Sequence, residues 1–187
     1  MSGIIKATNL EVTTIKDKTN TNTAISIDTS GRVNIPKVPA FAVRGYGSLQ
    51  NAATVNGFTV GTGTDIIYNY DSIDINRDSA FNNSTGIYTV PVAGLYQVQA
   101  GYGYKSSTNY LRLNLFLTAN DDTTSGHLSG WSYNDGQHYN VHLSTIVEAS
   151  VGQQFACGMS DSYSTPYGTG SHFLWFSGYL VGKRYDK

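Results

Sequence analysis

Leu111, Leu113, Leu115 and Leu117 recur at every second position, with Arg112 and Asn114 between them. A period of two puts the leucines on one side of an extended strand and the polar residues on the other. The same alternation runs through residues 94–100, where Tyr96, Val98 and Ala100 face one side and Gln97 and Gln99 the other. Tyr139, Val141 and Leu143 repeat it opposite His138, Asn140 and His142. Shorter strand patterns lie at residues 41–46, 66–68 and 86–90, bounded by Gly, Asn and Pro. The run 172–181 is apolar on both faces, which predicts a central strand or one buried at a subunit contact. No helical period competes with these runs. Many short strands at this spacing predict an all-β sandwich or jelly roll. The absence of an internal repeat argues against a propeller or a solenoid.

Composition agrees. Thr, Ser, Asn, Gly, Tyr and Val are abundant, while Lys, Glu and Met are scarce. β-branched and aromatic residues suit a pleated surface, and Gly and Asn suit tight turns. The net charge is −1 with no Lys/Arg cluster, so no nucleic-acid partner is expected. Charged residues make up only 13% of the chain, against roughly a quarter in ordinary soluble domains. Part of the neutral surface is therefore expected to lie between subunits. No run approaches the ~20 apolar residues of a membrane span, so no membrane insertion is expected. The opening MSGIIKATNL lacks the apolar core and cleavage site of a secretory leader, which points to synthesis in the cytoplasm.

The chain reads as two segments, 1–37 and 38–187. Residues 1–36 hold no aromatic residue. Ile4, Ile5, Leu10, Val12, Ile15, Ile25, Ile27, Val33 and Ile35 alternate with Thr, Asn and Asp, as in very short strands joined by turns. One copy offers too few apolar side chains to close a core, whereas three copies around an axis could close one. The expectation is a short β-rich stem or attachment arm. Even fully extended, 36 residues span only about 120–130 Å, so this is no long self-contained fibre. Pro36 and Pro39 make the junction a stiff, extended link.

The segment that follows resembles the globular head of complement subcomponent q, of the tumour-necrosis-factor-like jelly-roll type. That family carries an aromatic, then Asn or Asp, two further aromatics and Gly-x-Tyr at fixed spacing. The pattern reads here as Tyr70, Asn76, Phe81, Tyr88, Gly94 and Tyr96, with tyrosine for two family phenylalanines. Phe176 and Gly178, within Phe-Ser-Gly-Tyr-Leu, resemble the family's closing strand. The resemblance covers roughly residues 38–182 and implies a ten-stranded jelly-roll sandwich forming a homotrimer. Residues 1–36 contain no collagen-like Gly-x-y repeat, so the stem must differ from that of the complement proteins. The arm instead resembles the leading segments of structural proteins from tailed bacteriophages.

No enzyme is expected. His127, His138, His142 and His172 lack metal-site companions, and no nucleophile elbow or phosphate loop is present. His138 and His142, on one face of a strand, would lie about 13 Å apart, too far to share a metal within one chain. Cys157 lies in an apolar run and reads as a small buried side chain. Asp121 and Asp122 read as a solvated turn or, with nearby carbonyls, as calcium ligands; no cofactor is required. Trp131, Tyr133, Asn134 and Asp135, with Tyr163 and Tyr167, mix rigid rings with adaptable polar groups, the composition of a recognition surface. The same residues also suit trimer packing or loop anchoring.

Taken with the resemblance, these features describe a virion structural protein: a trimeric short tail fibre or spike whose head binds a host surface glycan or protein receptor. Residues 1–37 would join it to another virion protein on the particle surface. A capsid decoration or head-fibre protein is the first alternative, and a free lectin-like module the second.

Overall fold

In the computed structural model the described residues are 14–16, 23–35, 37–45, 48–51, 64–105, 110–117, 128–133, 138–160 and 174–182. The chain divides into two compact units, Met1–Val38 and Pro39–Lys187.

The first unit holds a three-stranded antiparallel sheet of β1 (Thr14–Lys16), β2 (Thr23–Ile27) and β3 (Val33–Asn34), in that order. Between β2 and β3 the Asp28 carboxylate organises the turn. It accepts hydrogen bonds from the backbone N–H groups of Ser30 and Arg32, each at 2.9 Å, and from Arg32 Nε at 2.7 Å. The Arg32 backbone N–H, then its guanidinium, hold the Asp28 carboxyl below its ordinary value.

The second unit contains β4 (Ala40–Arg44), β5 (Ser48–Asn51), β6 (Thr64–Tyr68), β7 (Ser72–Asn76), β8 (Phe81–Asn82), β9 (Ile87–Thr89), β10 (Gly94–Lys105), β11 (Tyr110–Leu117), β12 (Leu128–Tyr133), β13 (His138–Ala149), β14 (Gln154–Ser160) and β15 (Leu174–Gly182). One sheet has the order β13-β10-β15-β4-β7. The other follows the path β12-β11-β14-β6-β5, with the small hairpin β8–β9 joined to β14 through β9. The two paths of five strands make the expected ten-stranded sandwich, and every pairing is antiparallel. β15, apolar on both faces, is indeed central: Phe176 pairs with Ala100 on one side and Val43 on the other.

The alternating runs turn their apolar sides inward. Tyr96, Val98 and Ala100 on β10, Leu113 and Leu115 on β11, and Val141 and Leu143 on β13 are all buried in one core. Its densest part is aromatic. Phe41 stacks on Tyr88 at 4.3 Å between ring centroids and meets the edge of Phe176 at 4.7 Å. Phe155 stacks on Tyr88 at 5.8 Å. Such ring pairs contribute beyond their buried area by about 0.5–1.5 kcal/mol.

The spaced motif resolves into separate physical jobs. Tyr70, Phe81, Tyr88 and Tyr96 fill the core, with Phe176 beside them. Asn76 is a clamp: its Oδ1 accepts from the Phe81 N–H and its Nδ2 donates to the Phe81 carbonyl, both at 2.9 Å. The Tyr96 hydroxyl donates to the Val92 carbonyl at 2.7 Å and pins the chain entering β10. Gly94 opens β10, and Gly178 lies on β15 opposite Phe41. Asn83 forms a second clamp that the motif does not contain, bonding both the N–H and the carbonyl of Tyr70. Gly86 is fixed by sterics: φ is +71°, and a Cβ there would lie 2.0 Å from the Ile67 carbonyl oxygen.

Candidate functional site

The core accounts for one face of each sheet, and the outward faces differ from one another. On the seven-stranded sheet Ile66, Ile87, Phe116 and Ala156 form a second buried cluster, and Asn114 is fully buried on the same side as Phe116. The polar partner of the leucine stripe is thus not a solvent-facing residue. The outward face of the five-stranded sheet is open, and its residues are the candidate site.

Strand register arranges this face in rows. One runs Ile146, Gln97, Tyr179, Ala40; the next runs Ser144, Gln99, Ser177, Ala42, Ile75. Gln97 Nε2 donates to Ser144 Oγ at 2.6 Å, and Gln99 Nε2 donates to Ser177 Oγ at 3.1 Å. The amides are therefore engaged within the face. Leu95, Ile146 and Tyr179 are exposed along it.

A third row runs His142, Gly101, Trp175, Arg44, Ser72. The Trp175 indole lies over Gly101, where a Cβ would come within 2.4 Å of the ring. Only a residue without a side chain leaves it that seat. The His142 ring sits 5.6 Å from the indole, centroid to centroid. At the row's far end Arg44 Nε donates to Asp74 Oδ2 at 2.7 Å, and Ser72 Oγ donates to Asp74 Oδ1 at 2.6 Å. The Ser72 hydroxyl, then Arg44, hold the Asp74 carboxyl below its ordinary value. Asp74 lies within β7.

The face is thus largely neutral, mixing aliphatic, aromatic and small polar groups; the charged side chains described on it are the Arg44–Asp74 pair and Glu148, exposed opposite Leu95. Depletion of charge with aromatic enrichment is the compositional mark of a protein–protein contact. Among its described residues, nothing groups acids, bases and a nucleophile. Cys157, the one thiol, is buried in the core, and burial pushes its pKa up, leaving a neutral thiol. Burial likewise raises the Tyr70 and Tyr88 phenols. Among the described residues, no three His, Cys, Asp or Glu side chains come together to hold a metal, and no helix is long and apolar enough to cross a membrane.

The site residues expected from the sequence fall mostly outside the described residues. Trp131 and Tyr133 belong by backbone to β12, paired with Arg112 and Tyr110 of β11. Their side chains, and all of Asn134, Asp135, Tyr163, Tyr167, Asp121 and Asp122, lie outside the described residues. Sequence reading passed over Trp175, Tyr179 and Ile146 as a surface. Two signals pointed to it: the two-sided apolar run of β15 and the low charge of the whole chain.

Two antiparallel sheets joined in this order define a jelly-roll sandwich of the complement and tumour-necrosis-factor type. Solved structures agree. The globular domain of zebrafish complement 1qA is similar with a TM-score of 0.53 and 17% identity, over 79% of this chain and 100% of that one. Murine APRIL at pH 8.0 is similar with a TM-score of 0.57 and 7% identity, over 78% of this chain and all of that one. Murine APRIL at pH 5.0 gives a TM-score of 0.58 at 6% identity, over 78% of this chain and 100% of that one. No protein-family model matches the chain, and no curated protein matches it in sequence.

Proposed function

We propose that this chain is a non-enzymatic structural protein of a tailed-bacteriophage particle. In this reading it is a homotrimeric short tail fibre or spike whose head meets the host surface and whose residues 1–37 join another virion protein. The observation that carries the trimer is the largely neutral outward face of the five-stranded sheet, where Ile146, Tyr179 and Ala42 lie in adjoining rows. Three such faces around an axis would remove apolar surface from water. The phage setting is supported by the arm, which is β-rich and aliphatic rather than collagen-like. A receptor, glycan or protein, would be met by Trp131, Tyr133, Asn134, Asp135, Tyr163 and Tyr167. No cofactor is needed for this role; calcium at Asp121 and Asp122 is a separate proposal.

The test is a particle carrying the double substitution Trp131→Ala and Tyr167→Ala. The expected outcome is normal incorporation with adsorption to host cells reduced at least about tenfold, the loss of one or two aromatic anchors. Unchanged adsorption overturns the receptor role. Antibody labelling of the same intact particles separates a tail fibre from the alternative of a capsid decoration protein.

A further inference from the structure

The three-stranded sheet of the arm has two unlike faces. Antiparallel partners point to the same side, and residues two apart on a strand do so as well. Ile15 pairs with Ile25, Ile25 and Ile27 are two apart, and Ile27 pairs with Val33. All four share one face. Thr14, Ser26 and Asn34 form a row across the other. The aliphatic side chains are not covered by their own chain: Ile15 is 46%, Ile27 39% and Val33 64% exposed. The first unit has no second layer among its described residues.

Such a face needs an occupant, and its chemistry narrows the choice. It presents only aliphatic groups, with no donor, acceptor or charge to select an unlike partner. It is also small. Four side chains fall well short of the roughly 800 Å² per partner of a stable free-standing contact. It can therefore be covered durably only by something already held close. Heads that trimerise hold three arms close, because Ala40, the first residue of β4, lies on the proposed head contact and follows Val33 by a few residues. Tethering of this kind raises the effective concentration to about the millimolar range.

We propose that the Ile15, Ile25, Ile27 and Val33 face of each arm is closed by the same face of the two other chains, forming a three-walled β-stem. This rests on the trimeric reading of the head. The polar row Thr14, Ser26, Asn34 then faces outward, and attachment to the particle must use that row or the residues before it.

The test uses the full-length protein. The natural chain has a single cysteine, Cys157, which is buried, so one introduced thiol is selectively reactive. Val33→Cys and Asn34→Cys place that thiol on adjacent, exposed residues of opposite faces. Each variant is treated with a short flexible bismaleimide, run on a denaturing gel, and sedimented in parallel. The stem requires covalent chain pairs from Val33→Cys at least about tenfold above those from Asn34→Cys, with both proteins sedimenting as trimers. Ile27→Cys, on the neighbouring strand and the same face, repeats the result should Val33→Cys fold poorly. Trimers that cross-link equally at both positions, or not at all, overturn the stem and leave the head trimer standing. Monomers overturn both.

Discussion

The two outward faces of the head are built on the same pleated plan and end differently. On the seven-stranded sheet Phe116, Ile66 and Ile87 are almost fully buried within a single chain. On the five-stranded sheet Ile146 is 58% and Tyr179 48% exposed, and the groups between them are Gln, Ser and Ala. The first sheet is therefore an inner layer of its own monomer. The second is covered on one side and open on the other. Folding stability should come from the first face, and assembly from the second.

The strongest way to break that division is Phe116→Ala. It empties a buried site on the closed face and should destabilise the fold by about 3–5 kcal/mol, read from denaturant melts. A loss well below that range would show the closed face to be loosely packed. Ile146→Asp probes the open face. Its cost to the fold of one chain should stay within about 0.5 kcal/mol, because the side chain is already in water. The same substitution should convert trimers to monomers in sedimentation, since three carboxylates would be driven into one contact. Trimers that survive it would move the contact elsewhere.

How far these faces could be read from the sequence differs as well. Alternation located the inward sides of β10, β11 and β13 correctly, because one side of each strand is continuously apolar. The two-sided apolar run marked β15 as central. Alternation could not show that Asn114 is buried, since polar and apolar residues alternate equally well whether or not a further layer covers the polar side. Nor did it expose the Asn83 clamp: an asparagine between strands reads as a turn former, and its two bonds to Tyr70 depend on chain folding back across the hairpin. The motif residues were legible because each does a local job at fixed spacing. The open face was not, because its rows are assembled from five strands distant in sequence.

The smallest effect expected is a titration at the edge of the open face. The Asp74 carboxyl is held low by Ser72 and Arg44. A lowered folded pKa adds stability above the ordinary carboxylate value, and that contribution is lost as pH falls through the lowered one. At an exposed site it is slight. Ser72→Ala should move the Asp74 titration upward in carboxylate-resolved NMR; no movement would assign the shift to Arg44 alone.

The place of β15 in the sheet sets a clock on the molecule's production. Its neighbours are β10 and β4, so Phe41, near the beginning of the head, pairs with Asn76 of β7 on one side but finds its other backbone partner only at Gly178. Closing so long a loop is slow, and until it closes β4 and β10 present uncovered edges. The head cannot be completed on a partly synthesised chain, and a polypeptide stopped before Leu174 lacks the middle of a layer rather than its margin. Only products that extend through Gly182 can then complete this layer.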